Sequence, residues 1–145
     1  ENLQFAREMD LPIISLLDSG MHRFKEIQEF KNITADLIVE GEAIIRMDPY
    51  LADVLMTNLI GNAFKHCPEE GHVLVEWKDQ TLTISNSGPP LTIPEASMFE
   101  RFTKGDRTAE STGLGLAIVK QICNLYGFRI SYMYVPSLHT FRVHF

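Results

Sequence analysis

The sequence predicts a two-layer α/β sandwich, a mixed sheet with helices on one face. Three observations carry that expectation. The apolar pattern runs helix, two strands, helix, two strands, a long irregular stretch, helix, two strands. The helices come singly and the strands in pairs, which segregates helices from hairpins. The length of 145 residues suits one domain of the usual size and buries roughly two-thirds of the unfolded chain's surface.

Each element has a local reason. Residues 1–10 mix polar and apolar positions and read as the tail of an upstream helix. Leu11-Pro12 is a break, with Pro12 suited to a first helical turn. Ile13, Leu16, Leu17, Met21, Phe24 and Ile27 recur at helical spacing, which predicts a helix over 13–30. Ile33 to Val39 and Ala43 to Met47 read as short strands around Glu40-Gly41-Glu42. A second helix is predicted from about Asp48 to Lys65, ending before Pro68. Asp48 is suited to cap it and Pro49 to open it. Val73 to Trp77 and Thr81 to Ile84 alternate as strands about the turn Lys78-Asp79-Gln80. A stretch from Ser87 to Ser111 holds Gly88, Pro89, Pro90, Pro94 and Gly105, with one apolar nucleus at Met98-Phe99-x-x-Phe102. A loop of that length inside one domain marks a functional lid. A third helix is expected from about Gly113 to Tyr126, stopped by Gly127. Strands at 128–135 and 138–145 close the chain.

Composition narrows the function classes. Hydrophobic residues make up 45% and charged residues 22% of the chain, which is globular composition. Thirteen Lys and Arg against 19 Asp and Glu give a net charge of −6, which argues against nucleic acid as a partner. The most apolar run, Leu51 to Phe64, is broken by Asp53, Thr57, Asn58 and Asn62 and is too short to span a bilayer. Cys67 and Cys123 stand alone, with no zinc spacing, and read as reduced thiols. The opening Glu1-Asn2-Leu3-Gln4-Phe5 starts in mid-pattern, as a fragment of something longer would.

Four short motifs carry chemistry. In Asn58-Leu59-Ile60-Gly61-Asn62-Ala63-Phe64-Lys65-His66, helical rotation puts Asn58, Asn62 and Lys65 within about 60° of one another. Met56, Leu59, Ile60, Ala63 and Phe64 fall on the opposite arc, toward the sheet. Amide oxygens are hard ligands suited to Mg²⁺, and an ammonium suits phosphate oxygens. Alone, a solvated polar face explains this pattern equally well. Ser111-Thr112-Gly113-Leu114-Gly115-Leu116 places glycines at the start of an apolar helix, where backbone N–H groups can reach an anion. Ile84-Ser85-Asn86-Ser87-Gly88-Pro89-Pro90 ends a strand in polar side chains and a glycine turn. Met98-Phe99-Glu100-Arg101-Phe102-Thr103-Lys104 offers aromatic anchors and two cations for a lid.

Taken in order, N-x-x-x-N-A-x-K, N-x-G, F-x-R-F and G-L-G-L-A-I-V-K resemble the catalytic, ATP-binding domain of sensor histidine kinases. That family belongs to the gyrase, heat-shock chaperone, histidine kinase and mismatch-repair ATPases, with the Bergerat-type fold. The resemblance covers residues 11–145 and makes 1–10 the remnant of a dimerisation-domain helix. It implies ATP and Mg²⁺ as cofactors. It also implies transfer of the γ-phosphate to a histidine on that dimerisation domain. None of His22, His66, His72, His139 or His144 stands in the family's H-E-x-x-[TN]-P phosphoacceptor motif. This chain is therefore not expected to autophosphorylate alone. The implied partners are its own dimerisation domain and a response-regulator receiver domain. The implied setting is the cytoplasmic portion of a bacterial, membrane-associated homodimer.

The resemblance also implies site roles. Asn62 would hold Mg²⁺ with Asn58 in support, and Lys65 would pair with phosphates. His66 stands where the family often has an aromatic residue beside the nucleotide. Asn86 occupies the position of an aspartate that accepts from the adenine amino group, and Gly88 lets the chain pass close to the base. Phe99 and Phe102 would anchor the lid, and Lys104 would reach the γ-phosphate. Thr112, Gly113, Leu114 and Gly115 would wrap the phosphates. Asn58 replaces the glutamate that activates water in the related ATPases, which favours a kinase over hydrolysis. Asn86, Pro90 and Ser111 depart from an aspartate and two glycines. Asn86 and Pro90 support the alternative of a degenerate nucleotide-binding regulatory module without turnover.

Overall fold

The computed structural model describes residues 7–41, 43–91, 94–100 and 114–145. Strand β1 (Met9–Pro12) leads into helix α1 (Ile13–His22) and the shorter α2 (Lys25–Lys31). Strands β2 (Thr34–Val39) and β3 (Ile44–Met47) precede the long helix α3 (Pro49–His66). Then come β4 (His72–Lys78), β5 (Thr81–Ser87), a 3-10 turn at Glu95–Ser97, α4 (Gly115–Tyr126), β6 (Arg129–Val135) and β7 (Leu138–His144).

The main sheet has the order β2-β4-β5-β7-β6. β2 runs parallel to β4 and the other pairs are antiparallel, so the sheet is mixed as predicted. The cross-strand row Val75, Ile84, Phe141, Tyr132 and the row Trp77, Leu82, Val143, Ile130 follow from the register. Val73, Val75, Trp77, Leu82, Ile84, Phe141 and Val143 are all buried. The alternate positions, such as Glu76, Thr83 and Arg142, form the outer face, as period-two patterning requires. There the buried Ser85 and Thr140 hydroxyls satisfy each other at 3.1 Å. The inner face is covered by α3 against β4 and β5 and by α4 against β6, with α1 packed on α3. Burying each large apolar side chain there contributes roughly 1.5–3 kcal/mol.

Several expectations change. Met9 and Asp10, the end of the expected helix remnant 1–10, open a strand that runs to Pro12 and pairs antiparallel with β3, from Met9 opposite Met47 to Pro12 opposite Ile44, while residues 1–6 of that expectation lie outside the described residues. Pro12 accordingly ends that strand and precedes α1 in an extended conformation, rather than sitting in its first turn. β3 therefore leaves the main sheet and makes a second, two-stranded one with β1, so the single predicted sheet becomes two. The helix expected over 13–30 is two helices. The chain turns at Arg23-Phe24 so that Phe24 points inward. Its ring stacks on Phe64 at 6.0 Å and fills the space over Gly61, while Arg23 turns outward to Asp53 at 3.0 Å. Ile60 and Phe64, expected against the sheet, thus also meet the α1–α2 side: Ile60 lies over Gly20.

Helix α3 starts and stops for reasons visible in its caps. Asp48 accepts from the backbone N–H of Tyr50 at 2.8 Å and of Leu51 at 3.2 Å. That N-cap contributes about 1 kcal/mol. The Asp48 backbone N–H donates to the Tyr126 hydroxyl at 3.0 Å, tying the start of α3 to the end of α4. At the other end Lys31 donates to the carbonyls of Phe64, Lys65 and Cys67. One ammonium so satisfies three of the four carbonyls a helix end leaves open. This holds the turn that carries Lys65 and His66.

Candidate nucleotide site

Helix α3 buries Leu55, Met56, Leu59, Ile60, Ala63 and Phe64. The same rotation leaves Asn58, Asn62 and His66 half-buried and Lys65 exposed. Asn58 and Asn62 are one turn apart, so their amides share a stripe. Asn58 is held in place: its Nδ2 donates to the Val54 carbonyl at 2.8 Å. Its Oδ1 is aimed at the start of α4. A β-carbon added at Gly115 would lie 2.9 Å from that oxygen, so any larger residue there makes the Asn58 amide shift.

Helix α4 begins at Gly115, two residues later than expected, with Leu114 in the cap position and no side chain capping it. The first N–H groups of a twelve-residue helix thus open beside Asn58. Such a helix end carries partial positive charge and favours an anion. Two segments nearly sixty residues apart in sequence are brought together, one with amides and an ammonium, the other with backbone N–H groups.

Asn86 and Gly88 lie at the end of β5. Asn86 sits on the helix-covered face of the sheet, between Val73 of β4 and His139 of β7. It is 2% exposed, and its Nδ2 donates to the Ser87 carbonyl at 2.8 Å. Its amide oxygen and the second N–H of Nδ2 remain to be presented. Gly88 is closely covered: an added β-carbon would lie 2.9 Å from the His139 ring. Farther on, Met98 is buried and Phe99 sets its ring edge-on to Phe141 at 5.9 Å. The Lys120 ammonium lies 5.8 Å over the Phe99 ring. Lys104, Phe102, Thr112 and Gly113 lie outside the described residues.

His139, Tyr132 and Tyr134 were not singled out from the sequence. Counting back in twos from Val143 through Phe141 puts His139 on the inner face, so one signal existed. Its pairing with Asn86 depends on strand register, which motif reading does not supply. Burial, then Glu95 and Tyr134, push the Tyr132 phenol up to about 12, so it stays protonated as a donor. The two cysteines offer no nucleophile. Both are free and buried, and burial raises both thiols, Cys123 to about 11.

No group of three or more His, Cys, Asp or Glu among the described residues could cage a metal. Mg²⁺ does not need such a cage, since it is bound through few protein ligands together with phosphates and water. The amide stripe fits a cation of that kind. No described helix is long and apolar enough to cross a membrane.

Residues 47–145 match the family described as histidine kinase-, DNA gyrase B-, and HSP90-like ATPase. The chain is 31% identical over 136 residues to the sensor protein QseC of Escherichia coli strain K12, covering 91% of this chain and 30% of QseC. It is 27% identical over 158 residues to the sensor histidine kinase HprS of the same strain, covering 99% of this chain and 35% of HprS. The chain thus spans about a third of those relatives. In structure it resembles the mycobacterial sensor histidine kinase MprB, with a TM-score of 0.78 at 24% identity, covering 93% of this chain and 95% of that one. It also resembles the catalytic domain of the histidine kinase ThkA, with a TM-score of 0.78 at 24% identity, covering 94% and 95%. These likenesses support the sandwich fold expected from the sequence. The family match spans the asparagine stripe, the β5 turn and the start of α4, and the chain belongs to the histidine kinase-, DNA gyrase B- and HSP90-like ATPase family as a histidine-kinase catalytic, ATP-binding domain.

Proposed function

We propose that this chain binds Mg²⁺·ATP between α3 and α4 and delivers the γ-phosphate to a histidine on a dimerisation domain. The observation that carries the reading is the meeting of Asn58 with Gly115, where an added side-chain atom would lie 2.9 Å from the amide oxygen. It sets an amide stripe against a helix N-terminus, a pairing suited to a bound polyphosphate.

In this reading Asn62 holds Mg²⁺, with Asn58 supporting the phosphates nearby. The ion supplies neutralisation of charge on the triphosphate oxygens. Lys65 and Lys104 pair with phosphate oxygens. Backbone N–H groups from Thr112 to Gly115 receive the phosphate tail. The Asn86 amide oxygen accepts from the adenine amino group, and His66 borders the nucleotide. A histidine nitrogen forms the new bond to the γ-phosphorus as the bond to the ADP oxygen breaks. Such transfer needs positioning and charge neutralisation more than covalent help from the protein. Asn58 cannot take a proton from water at neutral pH, so the pocket lacks a hydrolytic base at that position. The acceptor domain, a response-regulator partner and a membrane-associated homodimer belong to the proposed whole protein.

Titration of the 145-residue chain with Mg²⁺·ADP tests the reading. Saturable, magnesium-dependent binding below millimolar concentration is expected. No saturation up to millimolar overturns it. For the transfer step, the full-length protein with radiolabelled γ-phosphate should gain an acid-labile, base-stable label. An unlabelled protein overturns the kinase assignment.

A further inference from the structure

The base-side turn is held by a cluster outside the four motifs. His139 Nε2 lies 2.7 Å from the Pro89 carbonyl oxygen, and its Nδ1 lies 2.6 Å from the Tyr132 hydroxyl. A carbonyl can only accept, so Nε2 carries the proton. In the neutral ring Nδ1 is then the acceptor and Tyr132 the donor. The raised Tyr132 phenol keeps that donor protonated. The neighbouring Tyr134 hydroxyl donates to the Gly88 carbonyl at 3.2 Å and accepts from the Ser137 N–H at 3.1 Å. The Gly88 N–H donates to the Ser137 carbonyl at 3.1 Å. The Tyr134 and His139 rings are 4.7 Å apart. Both backbone carbonyls that follow Ser87 are therefore taken up by β6 and β7 side chains.

We infer that His139 is a positioning residue for the nucleotide base: it clamps the Gly88-Pro89 turn through Pro89, with Tyr132 fixing its tautomer. The inference rests on the nucleotide reading above. Two consequences follow from the geometry. The space over Gly88 belongs to the imidazole, so Gly88 is needed for His139 and not only for a base. Tyr132 also lies 5.0 Å from Phe141, on which Phe99 rests. The start of the long loop at Pro89 and its later anchor at Phe99 are thereby tied to the same pair of rings.

Two measurements on the 145-residue chain test this. The first is the nitrogen-proton spectrum of the parent's imidazoles, which should show the His139 proton on Nε2. A proton on Nδ1 overturns the clamp. The second compares His139→Ala and His139→Gln for Mg²⁺·ADP and for Mg²⁺·tripolyphosphate, which has no base. His139→Ala should weaken ADP about tenfold, the size of one well-placed hydrogen bond, and leave tripolyphosphate unchanged. His139→Gln, whose amide can donate to Pro89, should recover most of the loss. Unchanged ADP binding in His139→Ala, an equal loss for both ligands, or no recovery in His139→Gln each overturns the inference. Failure of the parent to bind ADP overturns the nucleotide reading instead, and the imidazole spectrum still judges the clamp.

Discussion

Two glycines in this molecule face the same constraint in different settings. At Gly115 an added β-carbon would lie 2.9 Å from the Asn58 amide, and at Gly88 it would lie 2.9 Å from the His139 ring. The first contact joins two helices on the proposed phosphate side. The second joins the turn after β5 to β7 on the proposed base side. Among the described residues Asn58 is held by one hydrogen bond to its own helix, at Val54. His139 is held at both ring nitrogens, by Pro89 and Tyr132. A flexible amide with one tether can rotate away from an intruding methyl. A planar ring with two tethers cannot do so without breaking both. The proposed phosphate side is therefore the more forgiving of the two to a change in shape, and the proposed role of its amides makes ligand type the thing to test there.

The largest expected effect tests that last point. Asn62→Ala removes the amide proposed to hold Mg²⁺ while leaving α3 with a better helix former. Loss of even an outer-shell metal partner costs up to about 100-fold in metal affinity, and a direct ligand should cost no less. ADP binding should become weak and indifferent to magnesium, while the thermal midpoint holds. Unchanged magnesium dependence removes Asn62 from the site.

The next test sets the two glycines against each other. Gly88→Ala should cost roughly 1–3 kcal/mol of stability, as an overpacked site does, because the imidazole must leave Pro89. Gly115→Ala should be close to neutral in stability, since the Asn58 amide can swing and alanine favours a helix. It should still weaken ADP, because the displaced amide fills the mouth of the α4 N-terminus. Denaturant unfolding and ADP titration of both variants read the two quantities separately. Equal destabilisation in both would erase the distinction between tethered ring and tethered amide.

The same contrast explains what could be read from the chain. The helix-borne half of the site follows from a 3.6-residue period alone, so the Asn58, Asn62 and Lys65 stripe was legible, as were the Asp48 cap and the strands of the main sheet. The meeting of Asn58 with Gly115 was not, because it depends on how α3 and α4 pack. His139 escaped because its role arises from the register that sets it opposite Asn86. The break between α1 and α2 escaped for a related reason. Phe24 fits the helical period, and only the pocket formed by Gly61 and Phe64 draws it out of the helix. Strand β1 went unread because its partner, β3, lies more than thirty residues away. Local periodicity contains no trace of that pairing, and Pro12 invited a helical start instead.

The smallest expected effect lies on the base side. Asn86→Asp restores the carboxylate that the resemblance leads one to expect beside the adenine amino group. A charged acceptor strengthens such a hydrogen bond by ~1 kcal/mol, which is somewhat under tenfold in affinity. The gain is limited here by what the amide already does. The Asn86 Nδ2 donates to the Ser87 carbonyl at 2.8 Å, and a carboxylate would turn that contact into a repulsion between two acceptors. Asn86 is also 2% exposed, so an unpaired charge in the empty site costs desolvation. Asn86→Asp should therefore tighten ADP by only a few-fold, lower the stability of the empty chain, and regain that stability when saturated with ADP. Tripolyphosphate should not distinguish the two chains. A loss of ADP affinity would mean that the Asn86–Ser87 contact matters more than the charge on the acceptor, and that this turn works because the aspartate is absent.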